Sequence, residues 1–305
     1  MRVTLLGPQR RPTLDTAAGS LPAEGPVATV TAGWQEREPD DGELGKLLGS
    51  RDVNLRLYRR WLDVQERDPQ FAAGERQLAG VLEELQEMYL LRLDHALQAV
   101  YAVQRRSGPQ PLRAGVLSEA VGAVRELDAA HLRRVGAVRA EFYQGLRPHD
   151  RPVIAGHRAE VAGLLAGAAA VVVAGGHVGV LADALHLFDI AASLRSPVIA
   201  WSAGAMALTD RIVLFNDRAP QGPGHPEVYG SGLSVLRDVV ALPHASARLR
   251  LGDTPRMAVF ARRFAPARCV LLENGTRMDT ASDGGCPPGT RVLAADGHVT
   301  TLEAA

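Results

Sequence analysis

Ser202 stands in the stretch VIAWSAGAMALTD, residues 198–210. Val198, Ile199 and Ala200 read as the end of a buried strand, and Met206, Ala207 and Leu208 as the start of a helix. A serine at a sharp strand-to-helix turn can act as a nucleophile, because small neighbours leave its hydroxyl open to a substrate carbonyl. Ala203, Gly204 and Ala205 are such neighbours. The position equally suits a structural use, since serine is a favoured helix N-cap. A serine nucleophile needs a base, an orienting carboxylate and N–H donors for the oxyanion. Further segments offer these at the ends of expected strands. Gly175-Gly176-His177 follows VVVA, Asp217 follows RIVLFN, His244 follows VVALP and Glu273 follows CVLL. Each also has an ordinary reading. His244 can be a surface histidine after a proline, Asp217 an Asx-turn residue, Glu273 the start of a turn, and the glycine pair one turn among many.

Hydrophobic periodicity supplies the elements that must hold these residues. Residues 2–7 and 27–31 are expected strands, the second β-branched at all positions but Ala28. Residues 13–25 are rich in Gly, Pro, Ala and Thr and read as a loop. From 42 to 148 strand signal is scarce. Apolar residues from Leu78 to Val100 recur at steps of three and four, and those from Leu117 to Phe142 do the same after a Ser107-Gly108-Pro109 break. Beyond 148, strands are expected at 169–174, 197–201, 211–215 and 269–272, with helices at 159–166 and 180–194. Residues 219–232 read as a loop, and 290–294 with 298–302 as a terminal hairpin about Asp296-Gly297. This alternation predicts an α/β fold with an open, largely parallel sheet flanked by helices and sites at the strands' C-terminal ends. The expected division is an α/β domain of residues 1–41 and 149–305, a large all-helical insertion at 42–148, and a C-terminal β-hairpin.

Composition narrows the partners. There are 34 basic and 34 acidic residues, so the formal net charge is zero and no electrostatic footprint for nucleic acid or an anionic membrane is evident. Lys46 is the only lysine among the basic residues. Cys269 and Cys286 are the only cysteines, too few for a disulfide framework and not in a metal-ligand spacing. The first residues hold too short an apolar run for a signal peptide, and the most apolar stretch, residues 161–176, is shorter than a membrane span. The expectation is a cytoplasmic protein without cofactor or metal.

Several segments together resemble the serine peptidase family of aspartyl dipeptidase (peptidase E) and cyanophycinase. VVVAGGHVGVLADAL resembles its glycine turn, VIAWSAGAMAL its nucleophile elbow, and LFNDRAP an Asn-Asp segment after the elbow helix. GSGLSVLRDVVALPHA resembles the segment that carries its base, and VLLENGTRM the acidic segment after the next strand. Their order is the family's order, across residues 153–302. The resemblance implies a class I glutamine amidotransferase-like fold, a flavodoxin-like three-layer sandwich with serine in place of the amidotransferase cysteine. It implies a small peptide substrate, with Ser202 as nucleophile, His244 as general base and either Glu273 or Asp217 as third triad member. It places the oxyanion hole at the N–H groups of Gly176 and Ala203, and substrate contacts at Gly175, His177 and Arg256. The last would bind the carboxylate of an aspartyl peptide. Ala200, His177 and Ala245 stand where the family usually has glycine or a similarly small residue, asparagine and an aromatic residue. The helical insertion has no counterpart in the short dipeptidase. It can act as a lid, a homo-oligomer interface or a partner-binding surface, and the last use defines the alternative of a catalytically silent binding protein.

Overall fold

The computed structural model describes residues 1–9, 13–218, 224–282 and 285–304. Five strands form a parallel array: β1 (Arg2–Leu6), β2 (Val27–Val30), β3 (Asp52–Asn54), β4 (Ala170–Val173) and β5 (Val198–Trp201). They lie in the order β1-β5-β4-β2-β3, and β10 (Arg277–Ala281) closes the β1 edge antiparallel. The sequences AVVV of β4 and VIAW of β5 are buried at every position, as expected of a sheet covered on both faces.

Alternation sorts the side chains into two layers. Val171, Val173, Val198 and Ala200 face one cluster, and Val172, Ile199 and Trp201 the other. The first face is covered by α6 (Pro152–Gly167), α7 (Val178–Leu187), α8 (Ile190–Ser193) and α9 (Ala203–Ala207). The second is covered by α1 (Leu14–Ala18) and α2 (Gly42–Leu47), through Leu14, Ala17 and Leu44.

The segment 42–148 is not wholly helical. Residues 52–54 add the edge strand of the main sheet, beside β2. Three residues give too short a run to show a period, so neighbouring backbone rather than local pattern makes this strand. Beyond it come α3 (Leu57–Arg67), α4 (Pro69–Arg105) and α5 (Gln110–Leu146). The latter two form an antiparallel hairpin whose arms of 37 residues each extend about 55 Å. Pro69 starts α4 where a missing N–H costs nothing, and Asp68 caps it by accepting the Phe71 N–H at 3.0 Å.

Other expectations need correction. Residues 14–18 of the expected loop are the helix α1. The expected helix 180–194 is broken after α7, where Asp189 takes a left-handed conformation, φ 52°. Among the described residues, the later strands other than β10 do not join the main sheet. β6 (Ile212–Leu214) and β7 (Glu227–Gly230) form an antiparallel ribbon, so a strand lies inside the expected loop 219–232, whose residues 219–223 fall outside the described ones. β8 (Val239–Pro243), β9 (Arg268–Leu272), β11 (Arg291–Leu293) and β12 (Val299–Thr301) form a second sheet in the order β12-β11-β9-β8. The terminal hairpin is present as β11–β12. After β8 come α10 (Ala245–Arg248) and α11 (Thr254–Phe264), and α11 packs on this second sheet beside the helical hairpin. Among the described residues no helix is long and apolar enough to cross a membrane.

Candidate active site

Ser202 follows β5 directly and occupies the N-cap position of α9. Its backbone is not that of an ordinary cap, which lies in the β region. It has φ 51° and ψ −122°, a conformation in which a side chain is strained by about 1–3 kcal/mol. Nor does its hydroxyl cap the helix, for it makes no capping hydrogen bond. The plain structural reading of this serine therefore fails. The chain turns sharply here because its neighbours are small. A Cβ on Gly204 would lie 2.3 Å from the Val173 carbonyl oxygen. One on Gly175 would lie 2.8 Å from the Ser202 Cβ.

The glycine turn after β4 thus abuts the serine. Gly176 has φ 117°, and a Cβ there would lie 2.2 Å from the Gly33 carbonyl oxygen. That carbonyl accepts the His177 N–H at 2.7 Å, so the residues after β2 seat the turn. Among the described residues no acceptor takes the Gly176 N–H. The N–H groups of the first helical turn at Ala203 are of the kind that lack intrahelical acceptors. His177 is exposed, and its Nδ1 accepts the Val180 N–H at 3.2 Å, capping α7 as an asparagine would. Beside the turn lies a cavity of about 340 Å³, lined by Gly176, Gly33, Trp34, Trp201 and Leu44 among others.

His244 and Glu273 leave neighbouring strands side by side, because β8 and β9 run parallel with Pro243 opposite Leu272. His244 is half-buried, in a left-handed conformation (φ 56°) at the N-cap of α10, and its N–H donates to the Leu272 carbonyl at 3.1 Å. Glu273 is half-buried, and its Oε1 accepts the Ser246 N–H at 2.7 Å and the Ser246 hydroxyl at 2.6 Å. The end of β1 links this pair to the serine. Leu6 is opposite Trp201, and a Cβ on the next residue, Gly7, would lie 1.7 Å from the Glu273 carbonyl oxygen. Gly7, Gly33 and Ser246 lie in no motif of the sequence, and only the fold brings them to the site.

Asp217 and Arg256 are brought to each other. Asp217 is fully buried, and its Oδ1 accepts from Arg256 Nη2 at 2.6 Å while Oδ2 accepts the Arg250 N–H at 3.1 Å. Burial works against the Arg256 charge, but the Asp217 carboxylate, together with Tyr101 and Asp253, outweighs it and holds the guanidinium above its ordinary value. The same guanidinium donates to the Gly224 carbonyl at 2.7 Å. Both cysteines are free, Cys269 buried and Cys286 half-buried.

No protein-family model matches this chain, and no curated protein matches it. Among solved structures, the chain is similar to a peptidase from an acI-B1 Actinobacterium, at 13% identity and a TM-score of 0.46 over 99% of this chain and 94% of that one. A likeness at that level carries no inference about activity.

Proposed function

We propose that this chain is a serine hydrolase that cleaves an amide bond of a small peptide or isopeptide through an acyl-enzyme on Ser202. One observation carries the reading. Ser202 holds a strained positive-φ backbone at a strand-to-helix turn, its hydroxyl does not cap the helix, and glycines crowd it where side chains would not fit. Strain of this kind persists where the surroundings over-determine it, and it clusters at functional sites.

In the proposed reaction Ser202 Oγ attacks the carbonyl carbon and His244 takes its proton. The oxyanion that forms is met by the N–H groups of Gly176 and Ala203. The C–N bond breaks as His244 returns the proton to the leaving amine. Water, activated by the same histidine, then hydrolyses the ester. For the supporting carboxylate we favour Glu273 over Asp217. Glu273 leaves the strand beside that of His244 and bonds the first turn of the helix that His244 begins. Asp217 is already engaged by Arg256 and Arg250. For the same reason the proposal does not extend to an aspartyl substrate, since Arg256 is tied to Asp217. The class I glutamine amidotransferase-like fold and the peptidase E and cyanophycinase kinship belong to this proposal.

The test is covalent labelling with a small fluorophosphonate, read by intact mass. The expected result is one adduct, lost in Ser202→Ala and reduced about a hundredfold or more in rate in His244→Ala, the scale of general-base catalysis. A natively folded protein that takes no adduct, or takes one that survives Ser202→Ala, overturns the reading.

A further inference from the structure

A second cavity, of about 350 Å³, lies where the helical hairpin meets the α/β layers. Its size is within the range of about 300–1,000 Å³ common for small-molecule sites. It is walled by α3, α4, α5 and α7, on the face of the main sheet opposite α1 and α2. Its chemistry is unlike that of the glycine turn. Tyr58 and Trp61 stack with ring centroids 5.5 Å apart, and Tyr143 adds a third aromatic wall. Leu78 and Leu82 of α4 supply an aliphatic side.

One carboxylate sits among these rings. Glu75 is half-buried, and its Oε2 is fixed by the Trp61 indole N–H at 2.9 Å and by the Gln65 amide. Among the described residues no donor reaches its Oε1. Burial pushes the Glu75 carboxyl above its ordinary value, with the Asp183 charge adding to the rise and the Arg139 charge opposing it. Arg139 is itself paired to Asp183 at 2.8 Å. Arg76 is exposed at the rim, where Glu36 is held by the Tyr58 hydroxyl at 2.8 Å. Two carboxylates, Glu75 and Asp183, and two guanidinium groups, Arg76 and Arg139, line the cavity, and a third carboxylate, Glu36, accepts from the lining Tyr58. Gln35, also in the wall, holds φ 58° and ψ −125°, a second strained backbone like that of Ser202.

We propose that this cavity binds an alkylammonium group, whose nitrogen donates to Glu75 Oε1 and lies against the rings of Tyr58, Trp61 and Tyr143 while its methylene chain follows Leu78 and Leu82. Aromatic faces attract a cation through their quadrupole, and a partly desolvated carboxylate with an open oxygen is its natural hydrogen-bond partner. The group comes from another molecule. The chain's single lysine, Lys46, lies on α2, on the opposite face of the sheet. The same chemistry belongs to a free aliphatic diamine and to the lysine side chain of a peptide. Nothing in this proposal depends on the reactivity of Ser202.

The test is calorimetric titration of the full chain with cadaverine and with a blocked lysine amide, beside hexanoate and pentanol as controls. Saturable binding of either amine, without binding of the controls, is expected. Tighter binding of cadaverine identifies a free diamine as the source, and tighter binding of the lysine amide identifies a peptide side chain. Glu75→Gln is expected to weaken binding about tenfold or more, on the scale of a charge-assisted contact combined with a cation–aromatic one. Ala79→Leu, at an exposed position of α4 that lines the cavity, keeps the fold and blocks the chain's path, so it tests the site if Glu75→Gln does not fold. Ser202→Ala is expected to bind as the parent does, which separates this site from the hydrolase reading. Absence of saturable amine binding, equal binding of the controls, or undiminished binding in a folded Glu75→Gln or Ala79→Leu protein would overturn the proposal.

Discussion

At the scale of single residues, the informative group is one that sits where a simpler residue would be more comfortable. Ser202 bears a side chain at φ 51°, and glycine would adopt that backbone without strain. Ser202→Gly is therefore expected to abolish covalent labelling and yet raise stability by about 1 kcal/mol, the relief of strain less the entropy that glycine loses on folding. Urea unfolding of both proteins measures this. A clear loss of stability would mean that the hydroxyl supports the fold instead of being held ready for chemistry. The stretch around this serine was readable in advance because strand, small residues and helix follow one another directly in the chain. The failure of the cap was not, since serine is both a good nucleophile and a good cap, and only backbone angles separate the two.

At the scale of elements, the helical hairpin is locked to the α/β layers by a buried polar knot. Arg263 of α11 grips Asp128 of α5 through two nitrogens, each at 2.7 Å, and donates to the Tyr89 hydroxyl of α4 at 2.9 Å. Tyr89 in turn donates to Asp128 at 2.9 Å and accepts the Val228 N–H of β7 at 3.1 Å. Burial pushes the Tyr89 hydroxyl up, so it stays protonated as a donor. Removing one partner leaves a buried charge without its counter-charge. Asp128→Ala is expected to cost about 3–5 kcal/mol in urea unfolding, the range for a broken buried ion pair. His131 lies next to this knot, stacked on Tyr89 at 4.1 Å with its Nε2 buried and, among the described residues, without a hydrogen-bond partner. Burial lowers its pKa below the ordinary 6.5, with Asp128 opposing the shift and Arg134 adding to it. The folded state therefore prefers the neutral ring, whereas the unfolded chain takes a proton near 6.5. Stability from this group is present above that pH and is lost as pH falls through the lowered value. His131→Phe is expected to flatten that loss, read from urea midpoints measured across the same window. An unchanged pH profile would show that other groups, such as His225, whose pKa burial also lowers, account for it.

At the scale of the whole molecule, the hairpin is not an appendage. Tyr89, Leu93, Leu97 and Val124 of its arms share one apolar cluster with Val240, Leu271 and Phe260 of the second sheet and α11. Deleting residues 57–148 and rejoining the ends would expose this cluster and leave the Arg263 charge without Asp128. The shortened chain is expected to be insoluble or to lose cooperative unfolding, as judged by gel filtration and circular dichroism. A soluble, cooperatively unfolding product would show that the α/β layers fold independently of the hairpin.

The sequence by itself determined the parts in which one face or one turn speaks for an element. The central parallel strands β4 and β5 are apolar throughout because both faces are covered, and the hairpin helices keep an apolar stripe for many turns. The glycine turn and the serine elbow were legible because the need for small residues is local. Tertiary structure alone decided which strands share a sheet. β3 and β10 are short and mixed in character, and they become strands because β2 and β1 offer unpaired edges. It also decided the pairing of charges. In the sequence Asp217 and Arg256 stand apart, the one a candidate third triad member beside Glu273 and the other a candidate substrate contact. They meet because a buried carboxylate needs a counter-charge and hydrogen-bond donors, and the fold places both within reach. Such partnerships depend on separations of tens of residues, which no local pattern records.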